Sequence, residues 1–168
     1  MSESTAPRFE KGSDVSGSKI GECNPYLLKE RAQFDMLVLH AQLRGAYAET
    51  TFADFVKKNT GKDKVLITAE DSDGGIDAMI ILDASLGVFW IRHNVVKNAA
   101  AGMGLGKKML DAAIQMARTR GAREVFLHCN PIRERDTARA LYMSRGFENL
   151  GIDTEADTVT EKFVLKLV

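Results

Sequence analysis

The stretch Ala101-Gly102-Met103-Gly104-Leu105-Gly106-Lys107-Lys108 follows an apolar run, Val88–Val96, and opens a strongly helical segment. A strand that passes through a glycine turn into a helix is a means of holding phosphate. Glycine lets the backbone come close to a ligand, and the first N–H groups of a helix have no intrahelical partner. Those donors and the positive end of the helix dipole attract phosphate oxygens. Two familiar phosphate-binding turns fail on spacing. The dinucleotide fingerprint requires glycine at its first, third and sixth positions, and the sixth residue counted from Gly102 is Lys107. The P-loop requires four residues between its glycines and then Lys-Ser or Lys-Thr. Here Gly102 and Gly106 bracket three residues, and Lys107 is followed by Lys108.

The rest of the chain sets bounds on what that turn can serve. Its 168 residues suit one domain with one sizeable core. Lys and Arg number 23, as do Asp and Glu, so no chain-wide field favours nucleic acid or an anionic membrane. No apolar stretch approaches a membrane span, and the N-terminus lacks the charged-then-apolar layout of a signal peptide. Cys23 and Cys129 have no paired-ligand spacing, so neither a disulfide framework nor a metal site is expected. These features suggest a reduced, cytoplasmic protein. Residues 1–24, rich in Ser, Gly, Lys and Glu, read as a mobile tail unable to offset its ordering entropy. Residues 25–168 read as the folded domain.

Periodicity and turn residues order the elements. A first strand is expected near Tyr26–Glu30, then a helix over Phe34–Leu43 with Phe34, Leu37, Val38 and Ala41 at helical spacing and Gly45 as its stop. Thr51 and Asp54 read as a capping box for a second helix, with Phe52, Phe55 and Val56 as its buried stripe and Gly61 as its end. Lys64–Glu70, Ile76–Leu82 and Val88–Val96 read as strands joined by hairpin turns. A helix from Gly104 to Arg120, a strand Glu124–Cys129, a helix from Asp136 to Arg145 and strands Phe147–Ile152 and Thr158–Leu167 complete the chain. Leu105, Met109, Ala112, Ala113 and Met116 mark the buried face of the long helix, and Gly121 and Gly146 suit left-handed C-terminal caps. The expected fold is a single α/β domain: an antiparallel N-terminal meander joined to parallel βαβ units in a mixed sheet, with helices on both faces.

The register Ala101-x-x-Gly104-x-Gly106 resembles the Arg/Gln-x-x-Gly-x-Gly/Ala turn of the GCN5-related N-acetyltransferase (GNAT) family, with Ala101 in place of the leading Arg or Gln. Ala138-Arg139-Ala140-Leu141-Tyr142-Met143-Ser144-Arg145-Gly146-Phe147 resembles that family's Ala-x-x-Leu-Tyr-x-x-x-Gly-Phe segment. Val96 stands where the family has a strand-end Val before a Pro, here replaced by Asn98, and Phe163–Leu167 is similar to its closing strand. The element order is also the one expected of the family.

The resemblance implies acetyl transfer from acetyl-CoA to an amine, without a metal. The pyrophosphate would sit on the N–H groups of Gly102, Met103, Gly104, Leu105, Gly106 and Lys107, and the pantetheine arm would pair with the strand edge at Asn94, Val95 and Val96. The Val96 N–H would stabilise the oxyanion, and Tyr142 would protonate the departing thiolate. Arg135 replaces an Asn that bonds the cofactor arm; it either contacts a cofactor phosphate or lies on the surface, and Asn130 is a substitute for the lost Asn. His128 corresponds to a position where some members carry Glu, and a histidine side chain, titrating near pH 6.5 in peptides, suits a general base. His93 and Glu70 compete for that role.

Each residue has a plainer reading as well. Tyr142 can be a core aromatic, His128 a satisfied structural histidine, Lys107 and Lys108 solvated helix positions, and Trp90 a core residue. Since Ala101 and Arg135 replace cofactor-contacting types, a non-catalytic acyl-CoA-binding sensor or interaction module is the alternative function. The acceptor is expected to be a small-molecule, peptide or protein amine, and a homodimer stays open. Asp153, Glu155, Asp157 and Glu161 around the last turn would steer a cationic amine, or are acidic only because turns are polar.

Overall fold

The computed structural model describes residues 18–44, 51–97, 100, 102, 104–129, 136–153 and 160–167, and only the backbone of residues 41–44, 136 and 137. Its strands are β1 (Lys19–Glu22), β2 (Lys64–Glu70), β3 (Ile76–Asp83), β4 (Phe89–Val96), β5 (Glu124–Cys129), β6 (Glu148–Asp153) and β7 (Thr160–Lys166). Its helices are α1 (Glu30–Arg44), α2 (Phe52–Asn59), α3 (Leu105–Thr119) and α4 (Asp136–Ser144). The strands form one seven-stranded sheet in the order β1-β2-β3-β4-β5-β7-β6. Only β4 and β5 pair in parallel, across the α3 connection; β7 inserts between β5 and β6, antiparallel to both. The mixed α/β fold read from the sequence is therefore present, with a single parallel pair.

Two buried clusters cover the two faces. On one, Ala32, Met36 and Leu39 of α1 and Phe55 and Val56 of α2 pack on Leu66, Ile76, Met79, Ile81 and Val95. On the other, Leu105, Met109, Ala113 and Met116 of α3 and Tyr142 of α4 pack with Val65, Ile67, Ile80, Leu82, Val125, Leu127 and Phe163. Burial of such side chains contributes roughly 1.5–3 kcal/mol each relative to exposure. Arg145 grips Asp111 with two bonds of 2.6 and 3.1 Å and so ties the end of α4 to α3.

The capping and stop signals act as their chemistry suggests. The Thr51 hydroxyl accepts the Asp54 N–H at 3.1 Å and starts α2, while Gly121 (φ 83°) and Gly146 (φ 91°) hold the left-handed turns after α3 and α4. The N-terminal expectations need correction. The first strand is not Tyr26–Glu30 but Lys19–Glu22, inside the expected tail, so the ordered sheet begins before residue 25. Backbone pairing with β2 holds β1, and Ile20 is its only buried apolar side chain. Tyr26 and Leu27 are 78% exposed, because Asn24 accepts the Tyr26 N–H and folds that segment into a short 3-10 turn.

The buried stripe of α1 is also rotated from the expected one. Phe34 is exposed, and Asp35 turns inward instead. Its carboxylate accepts the Ile76 N–H at 2.9 Å and lies 3.9 Å from Lys97, bonds that outweigh the cost of burying it. Gly75 makes the approach possible: a Cβ there would stand 2.9 Å from the Asp35 carboxylate and 2.7 Å from that of Asp71.

Candidate active site

Strands β4 and β5 pair only at Phe89↔Val125, Trp90↔Phe126 and Ile91↔Leu127, and then part. The parting coincides with a bulge. Met79 pairs with Val95 but Ile81 with Arg92, so β4 carries an extra residue opposite β3. His93 adopts φ 54° there, the one non-glycine positive φ among the described residues. An extra residue inverts which side chains face which layer. Before the bulge, Ile91 packs toward α3; after it, Val95 packs toward α1 and Val96 toward α3.

The bulge thereby sets the last turn of β4. The Lys97 N–H donates to the Asp77 carbonyl at 2.7 Å, which makes Ala78↔Val96 a pair without its own hydrogen bonds. The Val96 N–H is thus directed away from β3, to the side from which β5 has parted. The amide oxygen of Asn94 is buried without a hydrogen-bond partner among the described residues. A buried polar atom of that kind calls for a ligand or water.

The glycine turn closes this end of the site. Gly102 (φ 81°) and Gly104 (φ 78°) occupy the left-handed region, where other residues are strained. No described residue stands within 4 Å of a Cβ built at either. Gly104 is the N-cap of α3 and supplies no side-chain bond to it, and the Lys108 N–H is bonded back to the Gly104 carbonyl. Among the described residues, no side chain caps the N–H groups of the first turn. Leu105 is buried, Lys107 exposed, and a Cβ at Gly106 would meet Val96 at 3.8 Å, so α3 begins hard against the end of β4.

The alternation of β5 separates the two catalytic candidates. Leu127 and Cys129 face the α3 layer, in the same buried cluster as Tyr142. The Tyr142 ring lies 5.8 Å from that of Phe163 and 6.1 Å from that of Phe147, so it is a core aromatic as well as a candidate acid. His128 points to the opposite face. Its Nε2 is 3.0 Å from the Asp153 carboxylate, and its ring lies 4.7 Å from that of Trp90. His93 leans toward α1, with its ring 5.6 Å from that of His40. Glu70 is exposed at the end of β2, at the same end of the sheet as Val96 but two strands away: Ala69 pairs with Ala78, and Ala78 with Val96.

Among the acidic hairpin residues, Asp153 is engaged by His128, and Glu161 is buried against Arg139 (2.9 Å) and Asn149 (2.8 Å). Ala101, Met103, Asn130, Pro131, Arg135, Glu155 and Asp157 lie outside the described residues. A depression of about 370 Å³ lined by Lys62, Asp63, Val65, Leu82, Ala84, Phe89 and Arg120 lies at the opposite end of the strands and holds none of these candidates. Sequence reading missed the Asp153 partner of His128 and the Lys162 ammonium beside it. Strand alternation puts Phe126 and His128 on one face, but the pairing of β5 with β7 is a long-range fact that no local pattern carries.

The sequence profile of the Acetyltransferase (GNAT) family matches residues 36–147. The chain belongs to the GNAT family of acetyltransferases, whose acyl donor is acetyl-CoA. An aminoglycoside 6'-N-acetyltransferase complexed with coenzyme A superposes with a TM-score of 0.74 at 11% identity, over 89% of this chain and 97% of that one. The ribosomal-protein-S18-alanine N-acetyltransferase from Escherichia coli gives 0.65 at 19% identity, over 88% and 90%. An aminoglycoside 6'-acetyltransferase type Ii gives 0.69 at 14%, over 89% and 97%. No curated protein sequence matches the chain. The residues present fit the donor: a glycine turn at the start of a helix lies against the end of β4, whose edge has parted from β5 and whose Asn94 amide oxygen is orphaned among the described residues.

Proposed function

We propose that this chain transfers the acetyl group of acetyl-CoA to an amine by direct attack, in the opening between β4 and β5. The observation that carries the reading is the parting of β4 from β5 beyond Ile91, with the start of α3 against the end of β4; His128 and Tyr142 lie on opposite faces of the sheet. Acetyl-CoA supplies an acyl group activated as a thioester. The N–H groups of Gly102 to Lys107 hold its pyrophosphate, with Met103 among them, and the edge at Asn94, Val95 and Val96 binds its arm. The Val96 N–H is aimed to stabilise negative charge on the acyl oxygen. Asn130 and Arg135 are proposed to complete the hold on the arm.

Acid and base then act from opposite sides. Asp153 takes the Nε2 proton of His128 as a hydrogen bond, which leaves Nδ1 to accept a proton from the attacking amine. Tyr142 gives its proton to the sulfur as the C–S bond breaks. The amine is supplied from the α1 layer and the thiol departs on the α3 layer, so the two proton transfers do not compete for one space. Proteins of this fold are named for aminoglycoside acceptors and for a ribosomal-protein alanine, which supports both small-molecule and protein amines as classes. A cytoplasmic setting suits Cys23 and Cys129, which form no disulfide.

The test is a thermal shift with acetyl-CoA followed by release of its thiol in the presence of an amine panel. Ligand bound only to the native state raises its stability by mass action. A shift with turnover supports the enzyme, a shift without turnover supports a sensor, and no shift overturns both.

A further inference from the structure

We infer that the acceptor is an amine whose short carbon skeleton also carries an anionic group, and that Lys162 recognises that group. The inference rests on the acetyl-transfer reading of the site. On the face of the sheet that holds His128, the cluster beneath α1 and α2 draws no member from β5, β6 or β7. What lies there instead is a floor of two rings, Trp90 and Phe126, 5.3 Å apart. The Lys162 ammonium sits 4.9 Å from the Phe126 ring and 5.5 Å from the Trp90 ring.

Among the described residues, the charges on this face favour one kind of acceptor. A cationic amine needs a carboxylate to meet it. Asp153 is already bonded to His128, and Glu161 faces α4, where Arg139 and Asn149 hold it. Arg92 also crosses the Trp90 ring, at 5.1 Å, but its guanidinium is bonded to Asp83 at 3.1 Å. Lys162 forms no ion pair among the described residues. A cation resting on aromatic faces, with no ion pair among the described residues, is a ready partner for a carboxylate or phosphate.

Register supplies the spacing. His128 and Lys162 are direct cross-strand partners, which places the two side chains on one face, about 5 Å apart at their Cβ atoms. The imidazole and the ammonium also meet one ring, Trp90, at 4.7 and 5.5 Å, so a short skeleton joins an amine at one to an anion at the other, as in an amino acid or a phosphorylated amino alcohol. Phe126, the half-buried ring of the two, takes an apolar side chain between them. Polycationic amines are disfavoured by the same geometry, because Lys162 repels them.

Trp90 is the only tryptophan in the chain, so its emission reports on this site directly. Leucine, leucinamide and 3-methylbutylamine are titrated against the acetyl-CoA complex, with O-phosphoethanolamine against ethanolamine as a second pair and spermidine as the cationic control. Acetylation of each is measured in parallel. The expected result is at least 10-fold tighter binding, read at Trp90, for a carboxylate or phosphate member over its uncharged or purely cationic counterpart. Lys162→Met should remove that preference while leaving the acetyl-CoA thermal shift in place. Which pair shows the preference tells carboxylate from phosphate. Equal binding within both pairs, a preference for spermidine, a preference that survives Lys162→Met, or no Trp90 response to any amine overturns the inference. The acetyl-transfer reading fails separately, by absence of the acetyl-CoA shift.

Discussion

The imidazole of His128, on β5, is held at Nε2 by the carboxylate of Asp153, on β6, across a distance of 3.0 Å, although β7 lies between the two strands. The contact reaches over β7 and fixes the ring against Trp90 at the parting of β4 and β5. On the proposed mechanism, Asp153 is the residue that orients the imidazole.

Asp153→Asn should therefore lower kcat and leave the KM for acetyl-CoA unchanged. A positioned proton-transfer group contributes about 10²–10⁴-fold, and loss of its orientation forfeits part of that. Steady-state kinetics over a range of pH check the point, since a merely structural Asp153 would reduce stability without altering the profile. His128→Gln should likewise lower kcat while acetyl-CoA still binds.

Gly104→Val should abolish the acetyl-CoA thermal shift. The new side chain would fill the space above Gly104, where no described residue stands within 4 Å of a Cβ, and φ 78° is costly for a branched residue. The expected loss of fold stability is about 1–2 kcal/mol, from backbone strain alone. Chemical denaturation separates that loss from the binding defect.

His93 bears backbone strain of about 1–3 kcal/mol at the bulge. His93→Gly should relieve it, offset by removal of the edge-on ring packing against His40, so its denaturation midpoint should lie near or above that of His93→Ala. If the bulge alone is needed, His93→Gly stays active; loss of turnover in a well-folded His93→Gly would assign the base to His93 instead of His128.

Asp83 links stability to pH. Burial opposes its charge, but the Ser85 hydroxyl and backbone N–H, with Lys64 and Arg92, outweigh that and hold its carboxyl below the usual range. A depressed carboxylate contributes stability above its unfolded value, near 3.9, and loses it as pH falls through the folded value. Asp83→Asn should cost about 1–2 kcal/mol at pH 7, with the gap closing below about pH 4. Burial likewise pushes the Cys23 thiol up to about 11. It should react slowly with disulfide reagents near pH 8, leaving coenzyme A release readable by such reagents.

The parts of the fold written in local chemistry were legible in the sequence. Thr51 as a cap, Gly121 and Gly146 as left-handed stops and the apolar face of α3 depend on neighbours a few residues away. Strand β1 was hidden because its sequence buries one large side chain and the ladder to β2 supplies the rest. The face of α1 was misread because Asp35 is drawn inward by the Ile76 N–H, a partner 41 residues on. In the site, the glycine turn and Tyr142 belong to contiguous motifs. The bulge at His93 and the pairing of His128 with Lys162 exist only once the strands are registered.

Formation of acetylated amine, measured by mass spectrometry together with thiol release, tests the central claim most directly when parent, Tyr142→Phe and His128→Gln are compared. Tyr142→Phe keeps the ring against Phe147 and Phe163, so the fold should persist and acetyl-CoA should still bind. The account predicts acetylated amine and thiol in equal amounts from the parent, and turnover reduced about 10²–10⁴-fold in each variant. Undiminished turnover in both variants, or binding of acetyl-CoA with no acetylated product from any amine, would contradict it.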